Sequence, residues 1–255
     1  MSIKLKGSTD GSVTLQAPAD TSPTGTDKTL TLPTGVGSAN QVLKNGSTAG
    51  TLEYGTAGFK SMQVFTSVGS STYTKPSGIT RIKVYVTGGG GGGGGANGDD
   101  TAGAGGAGGT AIKVIDVTSI TSVTVTVGGG GAGAAVNVNS SSPGGTSSFG
   151  THCSATGGDR YGGNWAIAGG GGTATGGDIN ISGSDGIGGL IDSTGQHTPG
   201  GTGGASFWGQ GGKGASRATS AQTNGTAFGS GGGGAGDSDT SANGAPGIVV
   251  VEEYA

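Results

Sequence analysis

Eight consecutive glycines, Gly88 to Gly95, interrupt this chain, and glycine-rich tracts recur at Gly103 to Gly109, Gly128 to Gly133, Gly169 to Gly172, Gly200 to Gly204, Gly209 to Gly214 and Gly229 to Gly236. Glycine brings no side chain to a core and loses the most backbone freedom on ordering. A chain with 65 glycines in 255 residues therefore has two options. The tracts are flexible linkers, or they are extended helices with three residues per turn, packed side by side so that neighbouring backbones bond one another. Only glycine permits that approach, the steric reason collagen places it at its axis. No strict Gly-X-Y triplet occurs, which excludes collagen itself. Aromatic residues follow several tracts: Phe149 after Pro143-Gly144-Gly145, Phe207 and Trp208 after Pro199-Gly200-Gly201, and Phe228 after Asn224-Gly225. Linkers have no use for such anchors, so these four side chains are assigned to packing of a scaffold.

Between the tracts lie strand signals. Ile82, Val84 and Val86 alternate with Arg81, Lys83 and Tyr85, and Val123, Val125 and Val127 alternate with Ser122, Thr124 and Thr126. That is the period of a sheet with one buried face. Ala111 to Ile115 reads as a further strand, and Met62 to Phe65 with Ser70 to Thr74 as an opening hairpin. Ile248 to Val251, four β-branched residues in succession, suits a strand covered on both faces that returns to the sheet begun near residue 61. Residues 59–255 then form one sandwich-like β domain with glycine-rich insertions at 88–109 and 128–247, closed by a strand over 248–254. Residues 1–58 read as a separate meander of very short strands around Ile3 and Leu5, Val13 and Leu15, Leu30 and Leu32, Gln41 to Lys44, and Thr51 to Tyr54. Each strand offers about two inward side chains, too few for a monomeric core, so partner chains are expected. The fold class is mainly β, with no significant α-helix.

Charge and cysteine usage remove several functions. Twelve Lys and Arg against fifteen Asp and Glu give a net charge of -3, with no basic stripe for nucleic acid. Neither a signal peptide core nor a run approaching about 18 apolar residues is present, so membrane insertion and general secretion are not expected. Cys153 stands alone, which leaves stability to packing, backbone pairing or oligomerisation. His152, His197 and Cys153 lack metal-ligand spacing, and no cofactor is expected. Gly233-Gly234-Ala235-Gly236 begins like a calcium-binding nonapeptide, but the match fails at Ser238, where the repeat needs aspartate. Gly211-Gly212-Lys213-Gly214 has neither the spacing nor the hydroxyl of a phosphate loop. No catalytic set stands out, and no metal site. The residues best suited to recognition are Arg160, Tyr161, Trp165, Leu190, Ile191, His197 and Arg217, which fall between glycine tracts; exposed aromatics and arginines dominate interfaces. The competing reading is that Trp165 and Ile191 plug the scaffold's own packing.

The run Gly11-Ser12-Val13-Thr14-Leu15-Gln16-Ala17-Pro18, then Thr29-Leu30-Thr31-Leu32-Pro33 and Gln41-Val42-Leu43, resembles a module common at the start of bacteriophage tail-fibre proteins. Tyr73-Thr74-Lys75-Pro76 to Val86-Thr87-Gly88, Gly204-Ala205-Ser206-Phe207-Trp208-Gly209 and the ending Gly244 to Tyr254 are similar to glycine-rich, adhesin-like domains of phage tail proteins. The resemblance implies a virion component made in the host cytoplasm. It also implies a homotrimer that contacts other tail proteins through residues 1–58 and a host-surface receptor through loops carried on a glycine scaffold. The chain departs from the T-even type of adhesin by carrying its own fibre-like N-terminal module. Two other classes stay open: a tail spike that cleaves polysaccharide, which needs a pair of carboxylates at a set separation, and an extracellular matrix or ice-binding protein built on glycine helices.

Overall fold

The structure, a computed structural model, describes residues 2–6, 12–16, 30–38, 41–46, 48, 50–96, 101–136, 138, 141–160, 167–189, 199–215, 222–236 and 239–255. The chain divides into two compact units, Met1–Ala57 and Gly58–Ala255. Every assigned element is a strand, and no helix occurs among the described residues.

In the first unit β1 (Ser2–Lys6) pairs antiparallel with β2 (Ser12–Gln16), and β3 (Val42–Asn45) with β4 (Leu52–Gly55). The expected meander is not continuous: among the described residues no ladder joins the two hairpins. The expected strand at Leu30 to Leu32 shrinks to one parallel bridge, in which Thr31 N–H donates to Gly50 C=O and Thr31 C=O accepts from Leu52 N–H, both at 2.8 Å. The physical reason lies in the side chains. Leu30, Leu32, Val36, Val42, Leu43 and Tyr54 are all exposed, so no core within the unit rewards alignment of a third strand.

The second unit contains β5 (Phe59–Phe65), β6 (Gly69–Thr74), β7 (Arg81–Thr87), β8 (Thr110–Asp116), β9 (Ser122–Val127), β10 (Ser147–Phe149), β11 (Cys153–Ala155), β12 (Ala174–Thr175), β13 (Ile179–Ile181) and β14 (Ile248–Tyr254). They form two antiparallel five-stranded sheets, β12-β11-β10-β9-β6 and β13-β8-β7-β14-β5. Strand β14 lies between β5 and β7 and is buried from Ile248 to Val251. Alternation sends Ile82, Val84, Val86, Val249 and Val251 from one sheet, and Tyr73, Val123, Val125, Val127 and Phe149 from the other, into a common core. Tyr73 and Phe149 anchor it with ring centroids 5.6 Å apart.

Strands β5 and β6, expected to form a hairpin, do not pair with each other; β5 pairs with β14 and β6 with β9. The short link between them crosses from one sheet to the other, turning at Gly69, whose φ of 109° disfavours a side chain. Splitting the strands sets their inward faces opposite each other across the core. Tyr73 of β6 thereby reaches Glu253 of β14, a carboxylate only 1% exposed. Glu253 accepts hydrogen bonds from Ser61 Oγ (2.6 Å), Gln63 Nε2 (2.9 Å) and the Tyr73 hydroxyl (3.0 Å). A buried carboxylate without these donors would be costly. Burial, with the bond to Glu253, raises the Tyr73 hydroxyl pKa, so it stays protonated and donating at every ordinary pH.

The glycine tracts are ordered. Successive N–H groups of run 88–96 point to different neighbours and return to the same one every third residue. Gly88, Gly91 and Gly94 donate to Gly109, Gly106 and Gly103; Gly89 and Gly92 to Gly145 and Ser142; Gly90 and Gly93 to Ala245 and Ala242. The carbonyls of the same run accept from run 128–136 (Gly131 to Gly90), run 156–160 (Gly158 to Gly89) and run 229–236 (Gly232 to Gly91). Run 88–96 thus sits at the centre of a hexagon of extended helices, with three residues per turn. Runs 101–109 and 229–236 are surrounded in the same way and touch run 88–96 and each other. Around this central triad the remaining described runs, 128–136, 141–145, 156–160, 167–172, 183–189, 199–204, 209–215, 222–225 and 239–247, close a ring.

Glycine is required here for closeness. A Cβ added at Gly91 would overlap the carbonyl of Asp159, and at Gly93 that of Gly233. The lattice leaves no room between backbones, and its cohesion comes from satisfied amide groups buried away from water.

Candidate functional site

The topology of the lattice makes one end of it distinct. Each outgoing run starts where a strand stops: run 88–96 after β7, 128–136 after β9, 156–160 after β11 and 183–189 after β13. Return runs lead back into β8, β10, β12 and β14. Two further reversals, Ser206–Gly209 and the turn before Gly229, are level with the strand ends, because Trp208 Nε1 donates to Thr87 Oγ1 at 2.9 Å and Gly229 lies against Thr87. The other ends of the described runs, at residues 96, 101, 136, 141, 160, 167, 189, 199, 215, 222, 236 and 239, then lie together at the far end. The steps from residue 88 to residue 96, at roughly 3.1 Å each, carry this end roughly 25 Å beyond the sheets.

Hydrogen bonds knit the ends of the runs there. Ala96 N–H donates to Asp239 C=O at 3.3 Å, Ala102 N–H to Ala235 C=O at 2.9 Å, and Gly200 N–H to Ala215 C=O at 2.8 Å. Arg160 is exposed at the end of its run, and its guanidinium donates to Ser141 C=O at 3.3 Å, tying two neighbouring run ends. Of the residues expected from the sequence to serve recognition, Arg160 is the one placed. Tyr161, Trp165, Leu190, Ile191, His197 and Arg217 lie outside the described residues. The described residues beside them add apolar chemistry that the sequence pattern did not single out. Ile167, Ile187 and Val136 are exposed near the ends of their runs; large apolar residues immediately flanking a glycine run were the available signal.

The residues assigned to packing take different positions. Phe149 is fully buried between the sheets. Phe228 is half-buried beside Gly229. Phe207 and Trp208 lean on Tyr85 from the outward side of the sheet, with centroids 6.2 and 6.1 Å away, and remain 45% and 37% exposed.

Other chemistry is sparse. Cys153 is buried in the core, and that burial pushes its thiol up to about 11, which keeps it un-ionised at neutral pH. His152 packs its ring against Phe149 at 6.1 Å. Among the described residues no group of three or more His, Cys, Asp or Glu side chains converges as a metal site would. The carboxylates of Asp159 and Asp185 both flank Gly170, but Asp185 Oδ1 is engaged by Gly171 N–H at 2.7 Å. Asp239 Oδ1 likewise accepts from Thr240 N–H at 2.7 Å. Asp185 and Asp239 thus cap backbone donors.

A β-sandwich from which a hexagonal lattice of glycine helices projects defines a glycine-rich structural domain, and the chain belongs to the glycine-rich domain family, which matches residues 66–254. No curated protein sequence matches the chain.

Proposed function

We propose that this protein is a non-enzymatic structural component of a bacteriophage tail fibre, self-associating and joined to other tail proteins through residues 1–58, and that it attaches the particle to a host-surface receptor through the tip of its glycine lattice. The single observation that supports the adhesin reading most is the convergence of the described run ends at one end of the lattice, roughly 25 Å from the sheets. Glycine runs expose almost no side-chain chemistry, so in the sequence the varied residues are left to the segments between runs, and the exposed Arg160, Ile167, Ile187 and Val136 sit beside the run ends that a partner approaching end-on would meet. A rigid lattice also lets those segments vary without disturbing the core, the usual division between scaffold and recognition loops.

Phage carrying Tyr161→Ala and Trp165→Ala should adsorb with about 2 kcal/mol less favourable free energy, while the protein still folds and assembles. Normal adsorption by particles with alanine across the segments 161–166, 190–198 and 216–221 would move the binding role elsewhere.

A further inference from the structure

The two outward faces of the sandwich are built from opposite chemistries. On β6 and β9 the outward positions are Ser70, Thr72, Thr74, Ser122, Thr124 and Thr126, a neutral hydroxyl surface suited to water. On the other sheet, register aligns Val64, Val250, Tyr85, Ile112 and Ile179 in one apolar row that crosses all five strands. The next row is Met62, Glu252, Lys83 and Val114, and the one after it Phe59, Tyr254, Arg81 and Asp116. Phe207 and Trp208 cover only the middle of the apolar row, at Tyr85. On either side of that cap Val64 is 48% exposed, Met62 54%, Val114 54% and Ile179 56%. With Phe59 and the cap itself, this leaves on the order of 500 Å² of apolar surface, at the upper end of what monomers leave open.

Charge and chain geometry say what covers it. Arg81 stands opposite Asp116, and Lys83 opposite Glu252, yet neither pair closes into an ion pair, and Lys83 Nζ lies 4.8 Å over the Tyr85 ring instead. Glu252 instead accepts from the hydroxyls of Tyr85 (3.4 Å) and Tyr254 (2.7 Å), and Asp116 from Thr118 N–H (2.9 Å) and Oγ1 (2.7 Å). The face therefore carries both signs in balance, which suits a surface with the same composition better than a partner of one charge. Strand β5 is also a free edge among the described residues, and its one cation, Lys60, is turned back to donate to Ser77 C=O at 2.9 Å instead of guarding that edge. The first unit leaves Leu30, Leu32, Val36 and Leu43 uncovered as well, so copies of the chain associating with one another can cover the apolar residues of both units.

We propose that the outward face of β13-β8-β7-β14-β5 is a self-association surface on which a second copy of this chain docks, across the rows from Val64 to Ile179 and Met62 to Val114. The proposal deepens the self-assembly part of the fibre reading and rests on it. The test is sedimentation of the full-length chain over a range of concentrations. Wild type should associate, and Met62→Lys with Val114→Lys should weaken association at least about tenfold with thermal unfolding unchanged, while Thr72→Lys with Thr124→Lys on the hydroxyl face should not. If the lysine variant fails to fold, cross-linking through Val114→Cys supplies the second measurement, and covalent pairs are expected. A monomeric wild type, or a face variant that associates as wild type does, overturns the proposal. A monomer that still depends on Tyr161 and Trp165 for host binding would sink this surface and spare the adhesin reading; an oligomer indifferent to those residues would do the reverse.

Discussion

The sandwich and the lattice make a solid interior in opposite ways. In the sandwich, side chains meet: Tyr73, Phe149 and the valines of β7, β9 and β14 exclude water, and the backbone ladders run along the outside of that contact. In the lattice, backbones meet and side chains are kept out; runs 88–96, 101–109 and 229–236 are buried almost without any atom beyond Cβ. The comparison teaches that apolar content is a poor guide to order. A chain poor in large apolar groups can still bury its backbone if every amide finds a partner in the neighbouring run.

The sharpest way to break the comparison is a side chain where the lattice has none. Gly91→Val would drive a branched group into the Asp159 carbonyl on rigid backbone, and the expected outcome is loss of the folded protein, a destabilisation of at least about 4 kcal/mol; circular dichroism and solubility decide it. In the sandwich the opposite operation does damage. Phe149→Ala removes a fully buried ring from between the sheets and should cost about 3 to 5 kcal/mol by denaturant unfolding. The smallest effect is expected at an outward lattice position. Thr202 is exposed between buried glycines, so Thr202→Val should fall within about 0.5 kcal/mol of wild type. A large loss there would mean that outward side chains, not amides, hold the ring of runs together.

Much of the sandwich is legible in the residues alone. Alternation at 81–87 and 122–127 locates the main strands, and the β-branched run at 248–251 marks the strand that is paired on both sides. The sheet assignment of β5 and β6 is not legible, because a period of two is the same whichever sheet a strand joins. Glu253 looks like a terminal surface acid. Its burial is signalled only by Ser61 and Gln63, polar residues at the inward positions of β5, whose significance depends on knowing that β14 lies beside them. The tracts announce close packing but not their neighbours: a run of identical residues holds no register, and it is the lengths between strand ends that decide which run meets which. For the candidate site, the sequence singles out the segments between tracts, while the gathering of the run ends at one end is a property of the out-and-back topology and so is not visible in any residue.

Burying amides in place of hydrocarbon has a calorimetric consequence. Exposure of apolar surface raises the heat capacity of a protein and exposure of polar surface lowers it, which in ordinary domains nets about 12 to 15 cal/mol/K per residue on unfolding. The amide-rich interior formed by runs 88–96, 101–109 and 229–236 contributes little to the positive part and much to the negative. Its stability curve is therefore broad and shallow, with free energy of unfolding changing slowly between cold and warm water. A part held this way keeps its shape across wide temperature swings, where a conventional core of the same size would lose much of its driving force on cooling.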